Sequence, residues 1–280
     1  QEATAADGAA QLGQALAMAR ALLGEARAAG LDPATLGLGV PELVSPAGEI
    51  FSGHRIRWKG VPVAAALSRV LPTTVEADVR AAALAEARLG AGRGLRHFLY
   101  VTVGTGVSAV SVQDGLPYAG SRGAALVIAN GPTRHRCPRC GHEHAEVLEE
   151  VAGGPALARA YGAERAEAVL EAAAAGDARA GAVLDRAARA LAQALALLAG
   201  ALDPEALVLG GGLGSAPGPY ADRLRAAFGA ALWDGDARDL PLLPATLGPD
   251  AGIVGAALAG ARGATGTGTG TGTERPSRTA

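Results

Sequence analysis

Phe98-Leu-Tyr-Val-Thr-Val103 and Val107-Ser-Ala-Val-Ser-Val112 are two apolar, β-branched runs separated only by Gly104-Thr105-Gly106. Their alternation and the glycine turn between them predict an antiparallel strand pair. A further buried run, Leu207-Val-Leu209, follows a long helical pattern and ends in Gly210-Gly211-Gly212. Short strands are expected at Leu36–Val40 and Thr73–Glu76. Helical periodicity marks 9–29, 61–70, 79–89, 155–161, 164–174, 178–202, 219–232 and 251–262. Strands alternating with helices give an α/β class. The strand pair at 98–112 requires a mixed sheet rather than a purely parallel one.

The chain has 280 residues, is 49% hydrophobic and carries a net charge of −2. That is enough apolar material for one large domain or two lobes. A near-neutral balance gives no electrostatic footprint for nucleic acid. No apolar run approaches the roughly 20 residues that cross a bilayer, and no leader peptide is evident. Two cysteines are too few for a secreted disulfide scaffold, which points to a reducing cytoplasm. The chain opens at Gln1 and its sole methionine is Met18, so sequence upstream of Gln1 is expected. The Thr-Gly repeat from Gly263 to Ala280 cannot bury enough surface to fold and is expected to be disordered.

Four features carry chemistry. Gly104-Thr105-Gly106 can turn backbone amides and a hydroxyl toward phosphate oxygens, or can simply close a hairpin. Gly210-Gly211-Gly212, between strand and helix, can pass close under a nucleotide or serve tight packing. Asp78, where a strand gives way to a helix, can act as base toward a substrate hydroxyl or cap the helix. Cys137-Pro-Arg-Cys140 with His135, His142 and His144 offers two thiolates and three imidazoles within ten residues. That set suits a structural zinc ion, the other reading being a reduced, metal-free loop.

In order along the chain, these pieces resemble the ROK family of sugar kinases and sugar-responsive regulators. The similar segments are Leu36-Gly-Leu-Gly-Val-Pro41, Val75-Glu-Ala-Asp-Val-Arg-Ala-Ala-Ala-Leu-Ala-Glu86, Gly90-Ala-Gly-Arg-Gly94, Val103-Gly-Thr-Gly106, Leu148-Glu149 with Gly153-Gly-Pro-Ala-Leu157, Asp203-Pro204 through Leu213, and Ala251-Gly-Ile-Val-Gly-Ala256. The resemblance implies an actin/hexokinase-like, ribonuclease H-like fold of two lobes over residues 1–262, with mixed sheets and flanking helices. It implies Asp78 as the catalytic base, and Glu149, Asn130 and Glu76 as sugar contacts. Both glycine loops would face ATP, and a homodimer is the implied assembly.

The departures from the family pattern shape the functional expectation. Ala77 replaces an Asn before Asp78. The family's E-x-G-H aligns with Val127-Ile-Ala-Asn130, and its first phosphate motif, D-x-G-G-T, is absent. Sugar hydroxyls left unpaired by such losses cost about 1–3 kcal/mol each. The sequence therefore favours the sugar-binding body of a regulator-type or non-catalytic member, with DNA reached only through a helix-turn-helix upstream of Gln1. The alternative is an ATP- and magnesium-dependent hexose kinase.

Overall fold

A computed structural model describes residues 7–136, 140–233 and 239–265, with the backbone alone described at 133–136, 144, 264 and 265. The chain divides into two compact units, Gln1–Ala77 with Ala256–Ala280, and Asp78–Gly255. Among the described residues no helix is long and apolar enough to cross a membrane.

The first unit is built on helix α1 (Gly8–Ala28), strand β1 (Leu36–Val40), helix α2 (Val63–Leu67) and strand β2 (Thr73–Ala77). Asp7 caps α1 by accepting from the Ala9 amide at 3.1 Å, satisfying one of the open donors of the first turn. β1 and β2 run parallel, Leu36 opposite Thr73 and Val40 opposite Ala77. Val40, Val44, Trp58, Val63, Leu67 and Val75 form the core. The Trp58 indole donates to the Gly8 carbonyl at 2.7 Å, which pays the polar end of a buried aromatic and ties α1 to the core.

Buried Glu42 organises the loop after β1. Its carboxylate accepts from the Ser52 hydroxyl and from the amides of His54 (3.0 Å), Arg55 (2.5 Å) and Ile56 (2.7 Å). Burial pushes this carboxyl up. The bonds from Ser52, Ile56, Arg55 and His54 outweigh that effect and hold it below its ordinary value.

The second unit opens with helix α3 (Asp78–Leu89), strands β3 (His97–Val103), β4 (Val107–Gln113) and β5 (Leu116–Pro117), and a hairpin of β6 (Pro132–Arg136) and β7 (Glu143–Val147). Helices α4 (Leu148–Ala152), α5 (Gly154–Tyr161), α6 (Ala166–Ala174) and α7 (Ala178–Leu202) follow. Strand β8 (Ala206–Gly210), the short helix α8 (Gly211–Gly214), helix α9 (Pro219–Ala231), strand β9 (Leu242–Pro244) and helix α10 (Ala251–Thr265) complete the order, α10 running on into the first unit.

The main sheet has the order β5-β4-β3-β8-β9, antiparallel on the β4 side of β3 and parallel on the β8 side. This is the mixed sheet expected from the hairpin, and the fold is actin/hexokinase-like. β3 is buried on both faces. Leu99, Val101 and Val103 join Leu184, Leu191, Leu195, Leu224 and Phe228 of α7 and α9. Phe98 and Tyr100 join Ala83 of α3 and Val208 of β8. Each fully buried Leu or Phe contributes about 1.5–3 kcal/mol, so this two-sided burial fixes β3 as the centre of the unit.

Two sequence expectations change. The Cys-containing segment is flanked by a strand pair, β6–β7, that the polar sequence did not announce. Helix α10 continues to Thr265, three residues into the stretch expected to be a disordered tail; residues 266–280 lie outside the described residues.

Candidate active site

The turn Gly104–Gly106 closes β3 onto β4 with the Gly104 amide donating to the Gly106 carbonyl at 2.9 Å. The hairpin role weighed from the sequence is thus real, but the turn is also held from outside. The Gly154 amide, at the start of α5, donates to the Gly104 carbonyl at 2.7 Å. The Val107 amide donates to Oε2 of Glu149 at 3.1 Å. Gly106 is required by this approach: a Cβ there would lie 2.4 Å from that same Oε2. Glu149, expected as a sugar contact, is therefore seated against the Gly104–Gly106 turn, and its own amide donates to the Ala129 carbonyl at 3.1 Å.

The second glycine loop lies beside the first. Gly210 ends β8, and Gly211 turns the chain into α8 with φ of 78°. A side chain at Gly211 would be strained by that dihedral and would meet the Val103 carbonyl at 2.4 Å. Gly104, Thr105, Gly154, Arg165, Gly212 and Leu213 face one cavity of about 390 Å³. That volume lies within the range of small-molecule sites. The structure thus brings together the two loops that the sequence singled out separately.

Asp78 is exposed at the first residue of α3, and its Oδ1 accepts from the Val79 amide at 2.7 Å. Behind it lies Tyr100, 4% exposed, with its hydroxyl against Gly210, where a Cβ would come within 2.4 Å of the oxygen. The phenol is pushed up to about 12, by burial first and then by the negative charges of Glu86 and Asp78. Tyr100 therefore stays protonated between the helix bearing Asp78 and the start of the second glycine loop. Sequence reasoning missed Tyr100, because an aromatic in a β-run reads as core.

Asn130 is exposed, next to buried Ala129 and three residues after half-exposed Val127. The segment 119–130 is a shaped loop. The Ala125 amide donates to the Ala119 carbonyl at 3.2 Å, Leu126 takes a left-handed φ of 56°, and the Ile128 amide donates to the Leu126 carbonyl at 2.8 Å. Glu76 belongs to the first unit, where its Oε1 accepts from the Ala77 amide at 2.9 Å.

The hairpin carrying the candidate metal ligands sets His135 in register with His144. Cys140 and His142 are exposed in its loop, and Cys137 lies outside the described residues. Among the described residues no three metal-ligating side chains converge. The hairpin is tied to the body of the unit by an ion pair from Arg186 on α7 to Glu146 on β7.

The ROK family model matches residues 5–261. The chain belongs to the ROK family. It is 31% identical over 248 residues to the glucokinase of Halalkalibacterium halodurans, spanning 79% of this chain and 74% of that protein. It is 34% identical to the N-acetylgalactosamine kinase AgaK of a Shewanella species, spanning 81% of this chain and 78% of the relative. Among solved structures it is similar to the ROK hexokinase of Thermus thermophilus, with a TM-score of 0.74 and 32% identity over 89% of this chain and 86% of that one. It is also similar to a ROK family transcriptional regulator, a homologue of the E. coli MLC protein, with a TM-score of 0.76 and 25% identity over 90% of this chain and 68% of that one.

Proposed function

We propose that this ROK protein is an ATP-dependent sugar kinase. The observation that carries the reading is the cavity shared by Gly104–Thr105 and Gly212, in the same unit as α3, which opens with Asp78 and packs Ala83 against Phe98 and Tyr100 of β3. The relatives matched over most of their length are named as kinases of different sugars. The regulator-type reading favoured by the sequence gives way on that ground; it rested on eroded sugar motifs, and one regulator stands among the structural neighbours.

In this reading each residue has a stated task. Bound ATP with its magnesium ion supplies the transferable phosphoryl group. Backbone amides of the two glycine loops and the Thr105 hydroxyl hold phosphate oxygens, where fixed donors cost no reorganisation as charge shifts. The Asp78 carboxylate takes the proton from the sugar hydroxyl as its oxygen bonds to phosphorus and the bond to ADP breaks. Glu149 braces the first loop through Val107 and, with Asn130, faces the sugar. Tyr100, neutral, separates Asp78 from the second loop without adding charge. The proposal extends to one structural zinc ion held by Cys137, Cys140 and two of His135, His142 and His144, and to a cytoplasmic homodimer.

The test is nucleotide recognition. In a thermal-shift series, a non-hydrolysable ATP analogue with magnesium should stabilise the protein, and Gly211→Ala should abolish that shift. Equal shifts in parent and variant, or no shift in the parent, would argue against the reading.

A further inference from the structure

Arg80, close to Asp78, has no task in the proposed chemistry. It lies two residues after Asp78 on α3 and is only 5% exposed. Its Nη1 donates at 3.0 Å to the carbonyl of Gly123, 43 residues away in sequence. Gly123 is itself buried and held at φ of 86°, in the middle of the 119–130 loop. Burying a guanidinium is costly, and a surface position would bear an arginine at no such cost. Its placement therefore calls for a reason beyond composition.

The loop supplies one. At its far end are Val127, Asn130 and Ala129, whose carbonyl receives the Glu149 amide. That bond holds the loop's far end, whereas between 119 and 128 the described backbone bonds are short-range, Ala125 to Ala119 and Ile128 to Leu126. Leu126, Ile128 and Ala129 also pack on the core of the unit, so the end near Asn130 is seated, and the stretch around Gly123 is the part that Arg80 holds. The bond from Arg80 fixes it to the helix that carries Asp78.

We infer that Arg80 is a positioning residue, which locks the 119–130 loop to α3 and so holds the sugar-facing residues in place relative to Asp78. The inference rests on the kinase reading and assigns that site its loop anchor. Preorganised contacts bind because their ordering cost is met before the ligand arrives, and an unanchored loop must meet it on binding. Loss of the anchor should fall on sugar binding and spare the nucleotide, because the cavity under the glycine loops is lined by other elements.

The experiment compares the parent with Arg80→Lys and Arg80→Ala, using the hexose that the parent phosphorylates best. KM for sugar and for ATP are measured separately, with amide exchange followed by mass spectrometry. Arg80→Ala should raise the sugar KM at least tenfold, leave the ATP KM within about twofold, and speed exchange in peptides covering 119–130. Arg80→Lys, which keeps the charge but reaches differently, should fold like the parent and fall between the two. Should Arg80→Ala fail to fold, Arg80→Lys alone decides, by a raised sugar KM with faster loop exchange. Parent-like sugar KM and loop exchange in a folded variant overturn the inference alone. A parent that phosphorylates no sugar overturns the kinase reading, and this inference with it.

Discussion

Removing the Glu86 carboxylate should destabilise the second unit more than any surface change. Glu86 is fully buried on α3. Oε1 accepts from the amides of Thr246 (3.0 Å) and Leu247 (2.9 Å), and Oε2 from the Ala91 amide (2.8 Å). The residue thus ties the helix bearing Asp78 to the segment after β9. Hydrogen bonds to a charged group are worth about 1.5–3 kcal/mol each, and an orphaned buried donor costs about 1–3 kcal/mol. Glu86→Ala strands all three amides, so a loss of about 4–5 kcal/mol is expected, at the top of the range for single substitutions. Glu86→Gln keeps one oxygen for Thr246 and Leu247 and opposes its amide to Ala91, which should cost about 2 kcal/mol. At about 2–4 °C per kcal/mol, Tm should fall by about 8–20 °C for Ala and about 4–8 °C for Gln. Thermal and urea unfolding followed by circular dichroism read both. Variants within 1 kcal/mol of the parent, or Gln as damaging as Ala, would refute the assignment.

The Glu42 cage should make the first unit acid-sensitive. Its carboxyl is held below the ordinary 4.5, so its stabilisation is complete above that pH and is lost as pH falls through the lower folded value. Glu42→Gln should cost about 1–3 kcal/mol near neutrality, and the gap to the parent should shrink in titrations below about pH 4.5; a gap that widens on acidification contradicts the cage. Tyr220 on α9 has a buried hydroxyl without a partner among the described residues, and burial pushes its ionisation up. Tyr220→Phe should therefore be neutral or stabilising by about 1 kcal/mol in urea melts, and a loss of 2 kcal/mol would reveal a hidden partner. Metal analysis of chelator-free protein should return one zinc per chain, and well under one equivalent rejects the site.

The sheet was legible because its strands are unusually apolar. Phe98–Val103 and Leu207–Leu209 are buried on both faces, so their hydrophobic runs marked the centre of the unit directly. The helix starts expected from periodicity at 9 and 178 lie within a residue of those observed, where Asp7 and Asp177 cap the first turns. The β6–β7 hairpin was not readable, because its strands carry Arg, His and Glu in place of an apolar alternation. In the site, the glycine loops stood out, whereas their convergence on one cavity depends on strand order, which no local pattern encodes. Arg80, Tyr100 and Glu86 were invisible for a related reason: each is defined by partners far along the chain, such as Gly123, Gly210 and Thr246.

The central claim rests on phosphoryl transfer through Asp78. Purified protein with magnesium and ATP should form ADP only when a sugar is added, across a panel that includes glucose, fructose and N-acetylgalactosamine. Asp78→Asn should keep nucleotide binding and lose at least about a hundredfold in kcat, the scale of a general base. No sugar-dependent ADP from the parent, or an Asp78→Asn variant that turns over like the parent, would contradict the account.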